Sequence, residues 1–582
     1  MLKSSLLVLI VLALAVPQSA TATEDLPAVA PVTACADLAQ MSFSLPEAPT
    51  IITAADEQSV NGHDMCVIKG TISPRVSFEV HLPVTGWTQR YLQTGCGGLC
   101  GRLGIDSPQR DCTPEVDGAM AMASTDMGHD TDGGTWGASD MQLRVDFGYR
   151  GVHVTALIAK RLIEAYYGQP AKYAYFSGCS DGGREALMEA QRYPDDFDGI
   201  AAGAAALNFL VQNSLHHGWS AKIIQPDSDA PNLTAADLPV LHEGVVATCD
   251  MLDGVADGLI GQPVACAGVF DPQTLICAGA QSEGCLSKKA ADAAAAIYKG
   301  AHDGETKLVV GALLPGSEAE WAGVLVPAGT PTGSAPPAED AAPQAASAEG
   351  DKPAMDQLVM KGPMGTLAPK VTREMVQSLA YTTPFDLDWT LDDLRFDATQ
   401  IEAMRDMHAI FDATDPNLAP FREAGGKLII WHGLADPHIS PLNSVGYVQA
   451  VRDTIGAEAS DDMLRLFLIP GMAHCGGGKG LTSIDVMTAL MDWVESGKAP
   501  ESLVASSTDE DAAAGQGRRL FPFPATSVMM QSGDPTDPAA WIAGPAFEVG
   551  NTIYKDWAGA DLFRPGFQKF CGFEGMAFVC RH

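Results

Sequence analysis

Basic residues are scarce. Lys and Arg number 36 against 72 Asp and Glu, so the 582-residue chain carries a net charge of −36. No Lys/Arg cluster interrupts that acidity, which argues against nucleic acid or an anionic membrane surface as a partner. Long hydrophobic runs are lacking as well. The apolar run Leu6 to Val16 is too short to cross a bilayer, and no later stretch is long enough to try. That run lies within residues 1–22, which read as a signal peptide. Lys3 supplies the positive end and Ala20 to Ala22 a small-residue cleavage site, with a retained N-terminal anchor as the competing reading. A secreted or periplasmic location is therefore expected. Export makes the 13 cysteines candidates for disulfides, and an odd count leaves at least one free or paired between chains. With 46% hydrophobic and 19% charged residues the composition is globular, and the length allows two to four domains.

What is present centres on one stretch. Tyr173 to Ser177 is an aromatic-rich run that reads as a buried strand. Gly178-Cys179-Ser180-Asp181-Gly182 fits Gly-x-Ser-x-Gly, and Gly183 to Tyr193 has helical spacing up to Pro194. Strand, tight turn and helix in that order make a nucleophile elbow, whose strained turn lifts the serine hydroxyl clear of a sheet. The expected fold class is α/β, an α/β-hydrolase core with a large inserted lid domain. Upstream, Ser77 to Pro83 alternates like a strand and leads to the loop Gly95 to Gly101. A glycine-rich loop after an early strand is where this fold places the second oxyanion-hole donor. Gly97 and Gly98 are equal candidates beside the Asp181 N–H. An ordinary disulfide-pinned loop competes, because Cys96, Cys100 and Cys112 crowd there. Asp126, His129 and His153 read as polar residues that fix loops beneath the elbow.

The remaining chemistry comes late. Lys427 to Trp431 reads as a buried strand with Asp436 in the loop after it; Leu464 to Ile469 reads as the next, followed by His474. Ser180, Asp436 and His474 stand in the chain order of an α/β-hydrolase triad. Ser180 needs a base to become nucleophilic, His474 would take its proton, and Asp436 would hold the imidazole's tautomer. His432 and His438 compete for the base role but lie on the acid's own loop. Cys179 precedes Ser180 and Cys475 follows His474, so contact between base and nucleophile would bring the two cysteines within disulfide range. Two unrelated buried cysteines are the alternative. Cys35 and Cys66 are plausible partners near the N-terminus.

Between these halves the hydrolase pattern lapses, which predicts a discontinuous catalytic domain (23–206 and 422–541) and a lid domain at 207–421. The lid contains a low-complexity segment, 327–353. Asp250, Asp253 and Asp257 crowd three carboxylates into eight residues, with Gly254 and Gly258 permitting sharp turns. Hard oxygen ligands at that spacing suit Ca²⁺, with the Val255 and Leu259 carbonyls completing the shell. A solvated acidic turn fits the spacing equally.

The density of matched positions is greater than the elbow alone. Thr125 to His129, Asp146 to Arg150, Tyr166 to Gly168, Gly178 to Arg184, Ala190 to Pro194 and Phe197 to Gly199 together resemble the tannase/feruloyl esterase family. These are secreted serine esterases that include bacterial terephthalate-monoester hydrolases, and the resemblance runs from about Phe78 to Pro524. It implies a carboxylic-ester hydrolase acting on a small aromatic ester of feruloyl, galloyl or terephthaloyl type. It also implies the Cys179–Cys475 bridge and a structural lid Ca²⁺ at Asp250, Asp253, Val255, Asp257 and Leu259. Proximity in sequence and the same resemblance pair Cys249 with Cys266 and Cys277 with Cys285. The segment Leu314 to Trp321 resembles a lid element of the family, which would make Trp321 a pocket residue. Two departures stand out. Asp181 replaces the family's usual Thr, placing a carboxylate near a developing oxyanion. Phe521 to Pro524 replaces a Cys-Pro-Tyr-Pro element, and Trp541 stands near its lost cysteine partner. Residues 542–582 extend past the family's usual end, where Cys571 and Cys580 could close a loop. An acyltransferase on the same triad and a non-catalytic binding protein of the same fold are the rival readings. Neither oligomeric state nor the natural ester is legible.

Overall fold

Strands buried on both faces read as continuous apolar runs, whereas strands with a wet face alternate. Both kinds occur here, and they build one sheet. The computed structural model describes residues 26–105, 112–130, 135–138, 140–225, 231–279, 284–328, 366–382, 389–507, 517–574 and 577–581. The expected signal segment at 1–22 and the low-complexity stretch beyond residue 328 lie outside the described residues. The strands are β1 (Thr50–Val60), β2 (His63–Ile72), β3 (Val76–Pro83), β4 (Arg90–Thr94), β5 (Ala121–Thr125), β6 (Tyr173–Cys179), β7 (Gly199–Gly203), β8 (Lys427–Gly433) and β9 (Leu464–Ile469). Their order across the sheet is β1-β2-β3-β5-β4-β6-β7-β8-β9. From β1 to β5 neighbours run antiparallel, and β1 alternates toward solvent. From β5 to β9 they run parallel, and β4 and β7 are buried at every position.

Parallel neighbours need crossover helices, and two of these carry the site. Helix α1 (Gly151–Tyr167) leads into β6 and ends at Gly168, whose φ of 73° turns the chain left-handed. Helix α2 (Asp181–Arg192) leaves the elbow directly. Between β7 and β8 the chain departs from the sheet and forms a body with its own core, in which Leu241, Val245, Ile297 and Trp321 are buried. Its helices include Leu238–Cys249 and Lys288–Lys299; Ser287 caps the second by accepting from the Ala290 N–H. The two ends of this insertion behave differently. Leu207, Phe209, Leu210, Met407, Ile410 and Phe411 pack into the main core, so the body is rooted on the catalytic sheet. The C-terminal extension also docks there. Leu562, Phe563 and Phe567 are buried, the Leu562 carbonyl accepts from Thr414 Oγ1 at 2.6 Å, and the Gln568 carbonyl from Arg192 Nη2 at 3.1 Å. Among the described residues no helix is long and apolar enough to cross a membrane.

Candidate active site

The elbow holds its shape because glycines let backbones touch. A Cβ on Gly178 would lie 2.4 Å from the Gly182 carbonyl oxygen, and one on Gly183 would lie 2.3 Å from the Gly203 carbonyl oxygen. Ser180 itself takes φ 64° and ψ −118°, a conformation that L-residues avoid unless the surroundings enforce it. Here they do: its N–H donates to the Gly203 carbonyl at 3.0 Å, and its carbonyl accepts from the Arg184 and Ala206 N–H groups. Asp181 is the first residue of α2, so its N–H has no intrahelical acceptor. The Asp181 carboxylate turns the other way, into a fork with Arg184 (Nε–Oδ1 2.6 Å, Nη2–Oδ2 3.0 Å). Arg184 is also fixed by the Gly148 and Phe147 carbonyls and lies over the Phe147 and Phe209 rings. Below it, burial and then the Asp181 charge push the Glu185 carboxyl well above its ordinary range. The Gly95 loop packs on α2, since a Cβ on Gly95 would lie 2.6 Å from Gly182 Cα. Cys96 and Cys100 form a disulfide around Gly97 and Gly98, where an added Cβ meets nothing within 4 Å. The loop is thus both disulfide-pinned and open above its glycines.

Two loops at the ends of β8 and β9 meet the elbow. His474 Nδ1 lies 2.7 Å from Asp436 Oδ2, and the Cys179–Cys475 bridge (Cα–Cα 5.9 Å) joins the residue before Ser180 to the residue after His474. Asp436 Oδ1 accepts from the His438 and Ile439 N–H groups at 2.8 and 2.9 Å. Burial alone would raise the Asp436 pKa, but the charge and hydrogen bonds of His474 and His432 outweigh it and hold the carboxyl well below its ordinary range. With Nδ1–H committed to Asp436, His474 Nε2 is left as an acceptor; it is buried and has no hydrogen-bond partner.

His432, considered on sequence as a rival base, sits behind the acid instead. Its Nε2 lies 3.2 Å from Asp436 Oδ2 and 3.0 Å from the Ile439 carbonyl, and its Nδ1 lies 2.8 Å from Ser444 Oγ. The carbonyl accepts only, so Nε2 carries the proton and Asp436 is gripped from two sides. The His-x3-Asp spacing was the signal for this. His438 approaches His474 edge-on, with ring centroids 4.8 Å apart. His216 and His217 reach the same neighbourhood and were not singled out by sequence; the adjacent pair in Leu215 to Gly218 was the available clue. Asp126 fixes its loop, accepting from the Ser77 and Gly128 N–H groups. His153 pairs with Asp196 at 2.6 Å.

Trp321 is placed differently from its sequence expectation. It is fully buried in the core of the inserted body, its indole N–H donates to Ser317 Oγ at 2.9 Å, and its ring packs against Tyr298. The indole fills that core, so it shapes the inserted body from within. The aspartates of the insertion are held by protein. Asp250 Oδ1 accepts from the Asp257 and Gly258 N–H groups, and Arg518 reaches Asp253 Oδ2 at 2.9 Å and Asp257 Oδ2 at 2.7 Å. Among the described residues, His153, Glu189 and Asp196 form a group whose ligand atoms converge within 4.8 Å, and so do Cys96, Cys100, Asp181 and Glu185. The lid aspartates do not. Bridges also form between Cys35 and Cys66, Cys249 and Cys266, Cys277 and Cys285, and Cys571 and Cys580, and Cys112 is free and buried.

A serine on a strained strand-to-helix turn, in a mixed sheet with parallel central strands, belongs to the α/β-hydrolase class, and the relatives of this chain make it a carboxylic-ester hydrolase. A family model described as tannase and feruloyl esterase matches residues 59–541, and the chain belongs to that family. It is 29% identical over 529 residues to a probable feruloyl esterase B of Aspergillus niger, covering 86% of this chain and 90% of that one. It is 29% identical over 510 residues to a mono(2-hydroxyethyl) terephthalate hydrolase of Piscinibacter sakaiensis, covering 81% and 83%. Among solved structures, feruloyl esterase B from Aspergillus oryzae superposes with a TM-score of 0.69 at 23% identity, over 87% of this chain and 98% of that one.

Proposed function

We propose that the protein is a secreted or periplasmic serine esterase that cleaves esters of aromatic acids through an acyl-enzyme on Ser180. His474 Nε2 takes the Ser180 proton as Oγ attacks the ester carbonyl, then returns it to the leaving alcohol. A water activated by the same nitrogen releases the acid. Asp436, gripped by His432 and two backbone amides, fixes the His474 tautomer and steadies the imidazolium. The Asp181 N–H and an amide of the Gly97–Gly98 loop receive the developing oxyanion. The observation that carries this reading is the His474–Asp436 bond beside a disulfide that couples the base loop to the elbow. Export is supported by six disulfides among the described residues. The aromatic acyl class follows the activities for which the relatives are named.

Calcium belongs to the same reading. Asp250, Asp253 and Asp257 bring three negative charges to one loop and Arg518 returns one positive charge, which leaves a residue of two for a divalent cation. Hard carboxylate and carbonyl oxygens are the donors Ca²⁺ prefers, and Asp250, Asp253, Asp257 and the Val255 and Leu259 carbonyls would hold it as a brace of the lid.

The test is hydrolysis of methyl ferulate, methyl gallate, a terephthalate monoester and a short activated ester by wild type and Ser180→Ala. Turnover of at least one aromatic ester, reduced about 10³-fold or more in the variant, is the expected result. Activity that survives in Ser180→Ala contradicts the nucleophile assignment.

A further inference from the structure

A second cluster of ligating side chains lies at the far end of α2 from the elbow. His153 stands in the first turn of α1, Glu189 in the last turn of α2, and Asp196 in the segment between α2 and β7. One ligand atom from each, a ring nitrogen and two carboxylate oxygens, lies within 4.8 Å of the others. His153 Nδ1 approaches Asp196 Oδ2 at 2.6 Å, and the His153 ring stacks on Tyr193 with centroids 3.7 Å apart. The imidazole is therefore held with Nδ1 toward the carboxylates.

Glu189 is the member that the fold itself does not explain. It is 1% exposed, and among the described residues neither Oε1 nor Oε2 has a hydrogen-bond donor. A carboxylate buried without donors is destabilising. Asp196 faces it, but ionised carboxylates are acceptors only, so the two can bond only by holding a proton between them. Burial and then the Asp196 charge push the Glu189 carboxyl well above its ordinary range. Lys160 of α1 donates to the Asp196 backbone carbonyl and lies over the Phe197 ring. One positive charge beside two carboxylates leaves one negative charge, which a proton or a metal ion must meet. An imidazole nitrogen with two carboxylate oxygens is a donor set for Zn²⁺, whereas Ca²⁺ and Mg²⁺ take oxygen ligands. Atoms bound to one Zn²⁺ at about 2.0–2.2 Å stand about 3.3–3.6 Å apart, so the ion parts His153 from Asp196 by about 1 Å or less.

We propose that His153, Glu189 and Asp196 form a Zn²⁺ site that ties α1 to α2 and to the segment entering β7. The ion displaces the proton that the carboxylates otherwise share, and it meets His153 as the Nε2–H tautomer. The His153 side chain is 21% exposed, so the ion enters from solvent and keeps a water in its fourth position. The site is separate from the Ser180 group and from the aspartate loop of the insertion, and it rests on neither.

The experiment strips the full chain with a chelator, loads it with Zn²⁺ in the presence of excess Ca²⁺, desalts it and measures bound zinc. Wild type is expected to retain one Zn²⁺ per chain. Glu189→Gln and His153→Gln, which keep a polar side chain of similar shape, are expected to lose affinity by about 10–100-fold or more in competition with a chromophoric chelator. Zinc bound by Glu189→Gln as tightly as by wild type overturns the proposal, because the acidic surface then accounts for the ion. A wild type that retains no zinc overturns it too, since a shared proton alone then joins Glu189 to Asp196; this result stands even if a variant fails to fold. Zn²⁺ is also expected to raise the melting temperature of wild type and to leave His153→Gln unmoved. A rise of equal size in both contradicts the site.

Discussion

At position 181 a carboxylate follows the nucleophile, where its charge would oppose an oxyanion if the two faced each other. The Arg184 fork removes the conflict by engaging both carboxylate oxygens of Asp181. Removing one partner of such a buried pair leaves an uncompensated charge. Arg184→Met is therefore expected to cost about 3–5 kcal/mol in urea unfolding; a loss below about 1 kcal/mol contradicts the pairing's role. At the other loop, Asp436→Asn is expected to lower kcat about 10³–10⁴-fold with little change in stability, because the imidazole loses its fixed tautomer. Steady-state kinetics on the purified variant checks this, and a loss under tenfold counts against the triad. Residue by residue, the pairing of Asp436 with His474 was legible because the expected chemistry dictates types and chain order. His432 behind the acid was not, because a histidine four residues before the acid looks the same whether it serves as base or as support; it lies at the end of β8. His216 and His217 escaped for a different reason: their partner His438 lies on a distant loop, and no periodicity links such positions.

The elbow is the element most fully written in the sequence. Gly178 and Gly183 are required by backbone contacts shorter than any side chain allows, and such positions surface as a motif. The bridge from Cys179 to Cys475 ties that element to the base loop across a sequence separation of 296. Replacing both cysteines with alanine is expected to cost about 2–5 kcal/mol and to lower kcat/KM, since the two loops then rely on packing alone. Calorimetry and kinetics on one preparation read both effects; an unchanged kcat/KM contradicts the positioning role. The lid loop makes a separate demand. If calcium braces it, chelation lowers the melting temperature and added Ca²⁺ restores it. A melting temperature indifferent to chelator contradicts the site and leaves Arg518 as the loop's cation. Trp321 was misjudged at this scale, because an indole at a lid turn reads alike whether it faces substrate or fills the lid's own core.

For the whole molecule, the expected α/β core and the interruption between β7 and β8 follow from strand runs separated by too long a gap. The packing of the insertion's two ends and of the C-terminal extension into the main core did not, since those contacts join segments with no shared pattern. The buried imidazoles also make stability depend on pH. His216 and His438 have folded pKa values below the unfolded value of about 6.5, so the unfolded chain binds protons first as pH falls. Their stabilising effect is complete above about pH 6.5 and is lost toward pH 4 and 3 respectively. Glu185, whose carboxyl burial pushes upward, contributes with the opposite sign, so the slope in a variant is the cleaner readout. His216→Gln is expected to flatten the stability slope between pH 6.5 and 4.5 by up to about 1.4 kcal/mol per unit, and an unaltered slope contradicts the assignment. The covalent step is the centre of the proposed function. Mass spectrometry of acid-quenched turnover with methyl ferulate reads it directly. A feruloyl mass increment on the peptide bearing Ser180, absent from Ser180→Ala, is the expected result; an increment on another residue, or full turnover by Ser180→Ala, contradicts it.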